Sequence, residues 1–314
     1  MAIKYFWRSQ INYKMNFDEI IGNENVKNNL EITCKNNKIA HSYIFLGIEG
    51  IGKKLIAKEF AKKILCLNEK KGCNICKSCI EFEGENHPDF KIISPDGKNI
   101  KIDQIREFQA KIYEKPVISS QKVYIINNAD LMTKEAQNCL LKTLEEPPSY
   151  VVIILIVSNE NKLLNTIKSR CIKITFSSLK NEELKKFLKD ENIDNKIIKR
   201  ANGSIKRLIH IKENKETYFE LEKIFSNISK KPLIDTFKGT ELFSKNKEII
   251  NEMLDYINLI LFENANSNGI FENSKKYMNC IQIVEETKQK LQQNGNFDMS
   301  IDYLFLKIWE EVNE

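Results

Sequence analysis

The sequence predicts a parallel α/β domain in the first half of the chain, followed by helices alone. Up to about residue 178, short and nearly continuous apolar segments alternate with stretches of helical spacing. This alternation is typical of a parallel sheet that is covered by helices on both faces. From residue 181 onward only helical spacing recurs. The chain also has only 11 glycines and 6 prolines in 314 residues, too few for a turn-rich β-protein.

Five segments have the apolar composition of buried strands. In chain order they are Tyr43–Leu46, Phe90–Ile93, Val123–Ile126, Val151–Val157 and Ile172–Thr175. Apolar residues spaced by three or four positions predict helices between most of them. The clearest sets are Ile56, Phe60 and Ile64, then Ile105, Phe108 and Ile112. A further helix is expected from Thr133 to Leu144, because two prolines follow it.

Helical segments fill the second half of the chain. They are expected at Glu182–Lys189, Lys196–Arg200, Ser204–Ile211, Tyr218–Ser226, Lys247–Phe262, Lys276–Gln293 and Met299–Val312. We place domain boundaries near Ser178 and Glu213, which gives domains at 15–178, 179–213 and 214–314. Residues 1–14 show no clear pattern, and we treat them as an extension of unclear role. An upstream start codon or a tag explains that extension as well as a functional arm does.

Charge and composition exclude several classes of protein. The chain has 49 basic and 43 acidic residues, and all but five of the basic ones are lysines spread over many helices. This diffuse net charge of +6 does not identify a nucleic-acid binder, and any DNA contact should be weak and salt-sensitive. The longest apolar run, Tyr150–Val157, is too short to span a membrane, and no signal-peptide core is evident. We therefore expect a cytoplasmic protein whose eight cysteines are not paired in disulfides.

The segment after the first predicted strand has the pattern of a phosphate-binding loop. Gly47–Lys53 reads G-I-E-G-I-G-K and precedes the helix that contains Ile56. Glycines at these positions let backbone N–H groups face a phosphate at the helix N-terminus. The next residue should carry a hydroxyl group that binds Mg²⁺, but it is Lys54, which repels that cation. Gly47, Gly52 and Lys53 therefore mark the fold, and either nucleotide binding or a loop that keeps its shape without a ligand fits them.

The end of the third predicted strand also departs from the pattern of an active ATPase. Such an enzyme needs a carboxylate there to hold Mg²⁺, and commonly a second one to orient water. The two positions are Asn127 and Asn128, whose neutral amides supply neither the charge nor the base. Asp130 follows, and a helix N-cap before Thr133 explains it at least as well as catalysis does. Together with Lys54, the two asparagines predict that this chain does not hydrolyse ATP.

Four cysteines follow the predicted helix of the phosphate loop. Cys66, Cys73, Cys76 and Cys79 have the spacing C-x6-C-x2-C-x2-C. Four thiolates at this density can close a tetrahedral zinc site, and an all-cysteine site is structural rather than catalytic. An iron–sulfur site is disfavoured because no further cysteine and proline follow at the usual spacing. Cysteines without metal and redox exchange remain as alternatives, and we interpret the nearby His87 as a turn residue.

Arg170 lies in the sequence S-R-C, just before the last predicted strand. A planar, permanently charged guanidinium at a subunit edge can reach the γ-phosphate in a neighbouring subunit. An arginine finger of this kind raises the rate by roughly 10³–10⁵ when it acts in trans. By itself, the sequence around Arg170 favours a surface or structural arginine over an arginine finger.

Taken together, these motifs resemble a known family. His87–Phe90 reads H-P-D-F and Leu140–Pro148 reads L-L-K-T-L-E-E-P-P, and with the motifs above they have the order and spacing of bacterial clamp-loader subunits. The resemblance to this AAA+ family runs from about Phe17 to Ser178, and more weakly through Gly203–Arg207. It implies an AAA+ module, a small helical lid domain and a C-terminal helical collar that holds a ring of five subunits together.

The resemblance also implies roles for single residues. Arg170 aligns with the finger that reaches the ATP of the adjacent ATPase subunit. The four cysteines align with zinc ligands. The gamma and tau ATPase subunits have a hydroxyl residue and acidic residues where this chain has Lys54, Asn127 and Asn128. The lid arginine that senses phosphate is replaced by Lys206, with Arg207 beside it.

Our leading hypothesis is a non-hydrolysing subunit of the DNA polymerase III clamp loader. It would donate Arg170 to a neighbouring ATPase while the sliding clamp is loaded onto primed DNA. The expected partners are the gamma and tau ATPase subunits and the clamp-opening delta subunit in a hetero-pentameric ring, with the clamp and DNA contacted through the assembled complex and no membrane partner. The alternatives are an active ATPase of the gamma/tau type and a zinc-dependent DNA-binding module.

Overall fold

A computed structural model gives the fold of the chain. It describes residues 16–69, 71–188, 194–226, 228, 232, 239–267, 271–293 and 295–313, so the predicted extension at 1–14 lies outside the described residues. The chain divides into two compact units. One is made of Met1–Ile193 with Asn202–Lys206, and the other of Asp194–Ala201 with Arg207–Glu314.

The first unit is built on a five-stranded parallel sheet. Its strands are β1 (Ser42–Leu46), β2 (Phe90–Ile93), β3 (Lys122–Ile126), β4 (Val151–Val157) and β5 (Ile172–Thr175), in the spatial order β2-β3-β4-β1-β5. The helices are α1 (Glu24–Lys35), α2 (Lys53–Leu65), α3 (Lys77–Glu83), α4 (Ile102–Ile112), α5 (Lys134–Glu145), α6 (Asn165–Lys168) and α7 (Asn181–Leu188). All five predicted strands are therefore confirmed to within one residue at each end.

Strand β4 shows why the apolar pattern is nearly continuous. All seven of its residues are buried. Val152, Ile154 and Ile156 belong to a core that includes Phe60 of α2, whereas Ile153 and Leu155 face a second core built with α4 and α5. Because successive side chains point to opposite faces, a strand between two cores must be apolar at every position. The predicted sheet with both faces covered is confirmed.

The parallel register places the functional segments at two opposite ends of the sheet. Leu46 pairs with Val157, and Ile126 pairs with Leu155, so β1, β3 and β4 end beside one another. The phosphate loop, Gly47–Lys53, begins at that end of the sheet, where the strands finish. At the opposite end, where the strands start, Tyr43 of β1 pairs with Ile172 of β5.

The second unit is helical throughout the part that the structure describes. Its helices are α8 (Asn195–Ala201), α9 (Ile205–Glu213), α10 (Lys215–Phe225), α11 (Thr240–Lys245), α12 (Ile250–Ser267), α13 (Phe271–Gln292) and α14 (Phe297–Asn313). The first two residues of α9 belong to the first unit. A core around Phe225, Ile257 and Phe305 joins them. The predicted all-α C-terminal part is confirmed, while the domain boundaries near Ser178 and Glu213 remain predictions. Within the described residues, no helix combines the length and the apolar character that crossing a membrane requires.

Candidate functional site

The phosphate loop has the backbone that its glycines permit. Gly50 and Gly52 have φ values of 79° and 91°, a region that side chains with a Cβ rarely adopt. Gly52 is the N-cap of α2, and Lys53 is the first residue of that helix. The loop therefore connects β1 to a helix N-terminus, which is the arrangement predicted from the sequence.

The Lys53 ammonium is fully engaged by groups of the protein. It donates to the carbonyl oxygen of Gly47, to that of Ile48 at 2.8 Å and to the Ser158 hydroxyl at 3.4 Å. A lysine has three N–H donors, so these three acceptors account for all of them. The side chain is buried, and burial lowers the pKa of Lys53 to about 8. This lysine would have to break contacts within its own loop before it could bind a phosphate.

The segment Gly203–Lys206 closes on the tip of the phosphate loop. The Ser204 hydroxyl donates to the Glu49 carbonyl at 2.8 Å, and the Ile205 N–H donates to the Gly50 carbonyl at 2.9 Å. Lys206 forms an ion pair of 2.8 Å with the Glu49 carboxylate. Gly50 is required at this contact, because a Cβ there would lie 2.4 Å from the side chains of Ser204 and Lys206. No sequence motif indicated the role of Glu49 or Ser204.

A cavity of about 570 Å³ lies beside the loop. Lys54, Asn127 and Asn128 all line it, so the structure brings together the three positions that depart from the ATPase pattern. The four lining carboxylates are paired with lysines: Glu85 with Lys58 at 3.3 Å, Glu83 and, at 3.8 Å, Glu59 with Lys62, and Glu49 with Lys206. These ion pairs offset the negative charge of the cavity lining.

Asp130 does not cap a helix, so that interpretation was wrong. The N-cap of α5 is Thr133, whose hydroxyl accepts from the Ala136 N–H at 3.2 Å. The Asp130 carboxylate instead accepts from the N–H groups of Ser158 and Asn159, both at 3.3 Å. It thereby fixes the end of β4 beside the end of β3.

The four predicted metal ligands, Cys66, Cys73, Cys76 and Cys79, form one cluster, which we call the cysteine cluster. All four Sγ atoms lie within 4.8 Å of one another. Cys66 Sγ is 3.6 Å from Cys73 Sγ and 3.9 Å from Cys76 Sγ. Thiolates bound tetrahedrally to zinc at about 2.3 Å would lie about 3.8 Å apart. The distances from Cys66 to Cys73 and Cys76 therefore match a tetrahedral metal ion, and the remaining sulfurs lie within about 1 Å of the required separation.

The cysteine cluster includes a short helix that the sequence analysis did not predict. Cys79 lies within the short helix α3, and the Cys76 sulfur caps that helix by accepting from the Cys79 N–H. Burial opposes ionisation of Cys73, but N–H groups of Ile75 and Cys76 and the neighbouring thiols lower its pKa to about 6. A thiolate ready to bind metal therefore exists near neutral pH.

His87 supports the cysteine cluster through its hydrogen bond with Ser78, the residue next to Cys79. Its Nδ1 accepts from the Asp89 N–H at 3.0 Å, so Nε2 carries the proton and lies 2.9 Å from the Ser78 hydroxyl. That hydroxyl donates to the Leu65 carbonyl at 2.7 Å. Burial lowers the pKa of His87, which keeps the ring neutral. The Nε2 contact thus holds Ser78 and Leu65, the residues next to Cys79 and Cys66, while the Nδ1 contact fixes the ring against Asp89.

Replacing His87 with alanine should lower the free energy of unfolding by about 2–4 kcal/mol, because two buried partners lose their hydrogen bonds and a cavity forms. Urea denaturation of the full chain, followed by circular dichroism, measures the change. His41→Ala is the matched control, since the His41 side chain is exposed. Equal denaturation midpoints for the two variants would contradict the support role of His87.

Arg170 lies at the end of the sheet where β1 and β5 start, opposite to the end that carries the phosphate loop. The Ser42 hydroxyl, at the start of β1, donates to the Arg170 carbonyl at 2.7 Å. The phosphate loop follows the other end of β1, four residues further, a distance of about 13 Å along the strand. The guanidinium donates to the Thr166 carbonyl at 2.9 Å and to the Glu145 carboxylate at 2.7 Å. Arg170 thus lies away from the phosphate loop of its own chain.

Comparison with known proteins identifies the family. Residues 22–180 match the model of the family described as DNA polymerase III, delta subunit. The DNA polymerase III subunit delta-prime of Bacillus subtilis is 27% identical over 310 residues, covering 88% of this chain and 93% of that protein. The chain belongs to the DNA polymerase III delta-prime family. It is therefore a clamp-loader subunit, as the sequence motifs predicted.

Similarity extends to the sibling subunits of the delta-prime family. The DNA polymerase III subunit gamma of Buchnera aphidicola subsp. Acyrthosiphon pisum is 28% identical over 325 residues, covering 90% of this chain and 87% of that protein. A solved structure of a DNA polymerase III gamma subunit-related protein from Thermotoga maritima is 18% identical, with a TM-score of 0.48, and covers 90% of this chain and 99% of that chain. The residues that favour the delta-prime type in the sequence are Lys54, Asn127 and Asn128.

Proposed function

We propose that this delta-prime family member does not hydrolyse ATP and instead supplies Arg170 to the ATPase site of a neighbouring clamp-loader subunit. The observation that carries the proposal is the position of Arg170. It lies at the amino end of β1 and β5, whereas the phosphate loop of the same chain lies at the carboxyl end of β1. A guanidinium in that place can act on a nucleotide only in trans.

Three features of the phosphate loop support the absence of hydrolysis. Asn127 and Asn128 supply no charge for Mg²⁺ and no base for water. Lys54 places a cation where the metal ligand should be. The Lys53 ammonium already bonds to the loop itself, and Gly203–Lys206 covers the loop tip. The alternative of an active gamma/tau-type ATPase would need the groups that these positions lack.

The proposed partners follow from the role in trans. Arg170 requires a gamma or tau ATPase subunit beside it, and the delta subunit would complete a hetero-pentameric ring. Through that ring the chain would take part in loading the sliding clamp onto primed DNA during replication. DNA contact by the chain alone is expected to be weak, because its +6 charge is diffuse.

We further propose that the cysteine cluster holds structural zinc. A four-thiolate site has no open position for a substrate or water, so its contribution is to fold stability. The bound ion would tie the end of α2 to α3, since Cys66 follows α2 and Cys79 lies in α3. The distances of 3.6 and 3.9 Å from the Cys66 sulfur to those of Cys73 and Cys76 support zinc, because they are close to the separation of about 3.8 Å in a tetrahedral zinc site.

The isolated chain should show no Mg-ATP turnover above background, but it should raise DNA-stimulated turnover when mixed with gamma or tau and delta subunits. Phosphate release measures both quantities on the same preparations. ATP should also leave the melting temperature of the chain unchanged. A ligand that binds the folded state raises the melting temperature, but the Lys53 ammonium is already bonded within the phosphate loop and is not expected to bind ATP. Lys53→Ala serves as a control for ATP effects that do not involve the phosphate loop. Turnover by the chain alone would contradict the proposal.

A further inference from the structure

Glu145 is the acidic partner of the Arg170 guanidinium. One carboxylate oxygen of Glu145 lies 2.7 Å from a terminal nitrogen of Arg170, and the other terminal nitrogen donates to the Thr166 carbonyl at 2.9 Å. Only two of the five N–H donors of a guanidinium are used in these contacts. Among the described residues the other three donors have no hydrogen-bond partner, so they can meet an anionic ligand from outside the chain.

Glu145 is itself held in place by the end of helix α5. It is the last residue of that helix, and prolines at 147 and 148 prevent the helix from continuing. The Gln109 side chain donates to the Cys139 carbonyl at 2.8 Å and to the Thr143 hydroxyl at 2.9 Å, which ties this part of α5 to α4. The carboxylate therefore projects from a fixed helix end.

The Arg170 backbone is fixed independently of its side chain. The Ser42 hydroxyl, which is almost fully buried, donates to the Arg170 carbonyl at 2.7 Å. The Arg170 N–H donates to the Ile167 carbonyl at 3.1 Å. With the backbone anchored to β1, the remaining freedom of Arg170 lies in its long side chain, and that freedom is what the contacts with Glu145 and Thr166 restrict.

We infer that Glu145 is a positioning residue for Arg170, which holds the guanidinium ready for a phosphate of the neighbouring subunit. The inference rests on the proposed role of Arg170 in trans. A long arginine side chain has many conformations, and a contact that selects one of them lowers the entropy cost of reaching the transition state. Glu145 touches no substrate in this arrangement and acts only through Arg170.

The size of the effect follows from the exposure of the pair. The Arg170 side chain is 34% exposed and that of Glu145 is 48% exposed, so solvent screens their attraction. A partly exposed ion pair of this kind changes the population of the paired side-chain conformation by a factor of about three to five at most. Glu145→Ala should therefore lower the single-turnover rate of hydrolysis at the neighbouring ATPase site about three- to five-fold. Glu145→Gln should lower the rate of hydrolysis less than Glu145→Ala does, because the glutamine side-chain oxygen still accepts a hydrogen bond from Arg170.

The test is a double-mutant cycle in the reconstituted clamp loader, and the turnover compared is the rate of DNA-stimulated ATP hydrolysis in a single-turnover experiment. Glu145→Ala should lower turnover when Arg170 is present and should cause no further loss in the Arg170→Ala background. Glu146→Ala is the control, because this adjacent exposed carboxylate makes no hydrogen bond or ion pair with Arg170. Melting temperature and gel filtration establish that each variant folds and assembles.

Two results would overturn the inference. One is unchanged or raised turnover in Glu145→Ala. The other is an equal loss with and without Arg170, because Glu145 would then act by another route. The proposed function fails separately if Arg170→Ala alone leaves turnover unchanged, and the positioning role of Glu145 then fails with it. A loss in Arg170→Ala without any effect of Glu145→Ala refutes the positioning role alone.

Discussion

Arg170→Ala should reduce hydrolysis at the neighbouring ATPase site by roughly 10³- to 10⁵-fold, the range measured for arginine fingers that act in trans. The physical reason is the loss of a fixed positive charge opposite the charge that develops on the transferred phosphoryl group. Single-turnover hydrolysis in the reconstituted loader is the suitable measurement, because other ATPase sites in the ring can mask the loss of one site under steady-state conditions.

Two further variants make the Arg170 result specific. Arg170→Lys keeps the charge but loses the planar fork of donors, so most of the rate should still be lost. Arg106→Ala is the matched control, because Arg106 is 65% exposed and pairs with Asp103 one helical turn away. Assembly of the ring should be unaffected by each variant. Full single-turnover activity in Arg170→Ala would refute the finger assignment.

The fold could be predicted closely because it depends on local pattern. Val151–Val157 was recognisable as a central strand, since a strand between two cores has no solvent-facing position. The long C-terminal helices were recognisable from apolar spacing over many turns. Helix α3 was missed, because seven residues around Cys79 carry no such periodicity and the Cys76 sulfur provides the cap.

The cysteine cluster and the phosphate loop were also recognisable from local pattern, because metal ligands and phosphate-binding residues have fixed spacings along the chain. Contacts between distant residues have no comparable signature. Lys206 and Glu49 are separated by 157 positions, and Arg170 and Glu145 by 25. The internal bonding of Lys53 depends on one side-chain conformation among several. These contacts become evident only when the tertiary structure fixes the partners.

Removing the metal should destabilise the chain, and Cys76→Ser should have the same effect. If free zinc exceeds its dissociation constant about 1,000-fold, binding adds about 4 kcal/mol to the free energy of unfolding. The variant should lose that contribution and release one metal ion per chain. Metal content by mass spectrometry and urea denaturation with and without a chelator measure the two quantities. Cys139→Ser is the control, because Cys139 lies outside the cluster and its thiol donates to the Gln109 side chain, as a hydroxyl can.

The pH dependence separates metal binding from simple packing of the four cysteines. Protons compete with the metal for thiolates, so metal affinity should fall as the pH falls. The pKa of Cys73 is lowered from 9.0 to about 6, so its thiolate contributes stability that is present in full above pH 9 and is lost as the pH falls through about 6. With metal bound, the loss should move to lower pH, because the ion holds the thiolates ionised. A stability profile that is identical with and without chelator would refute the zinc site, since neutral packed thiols need no metal.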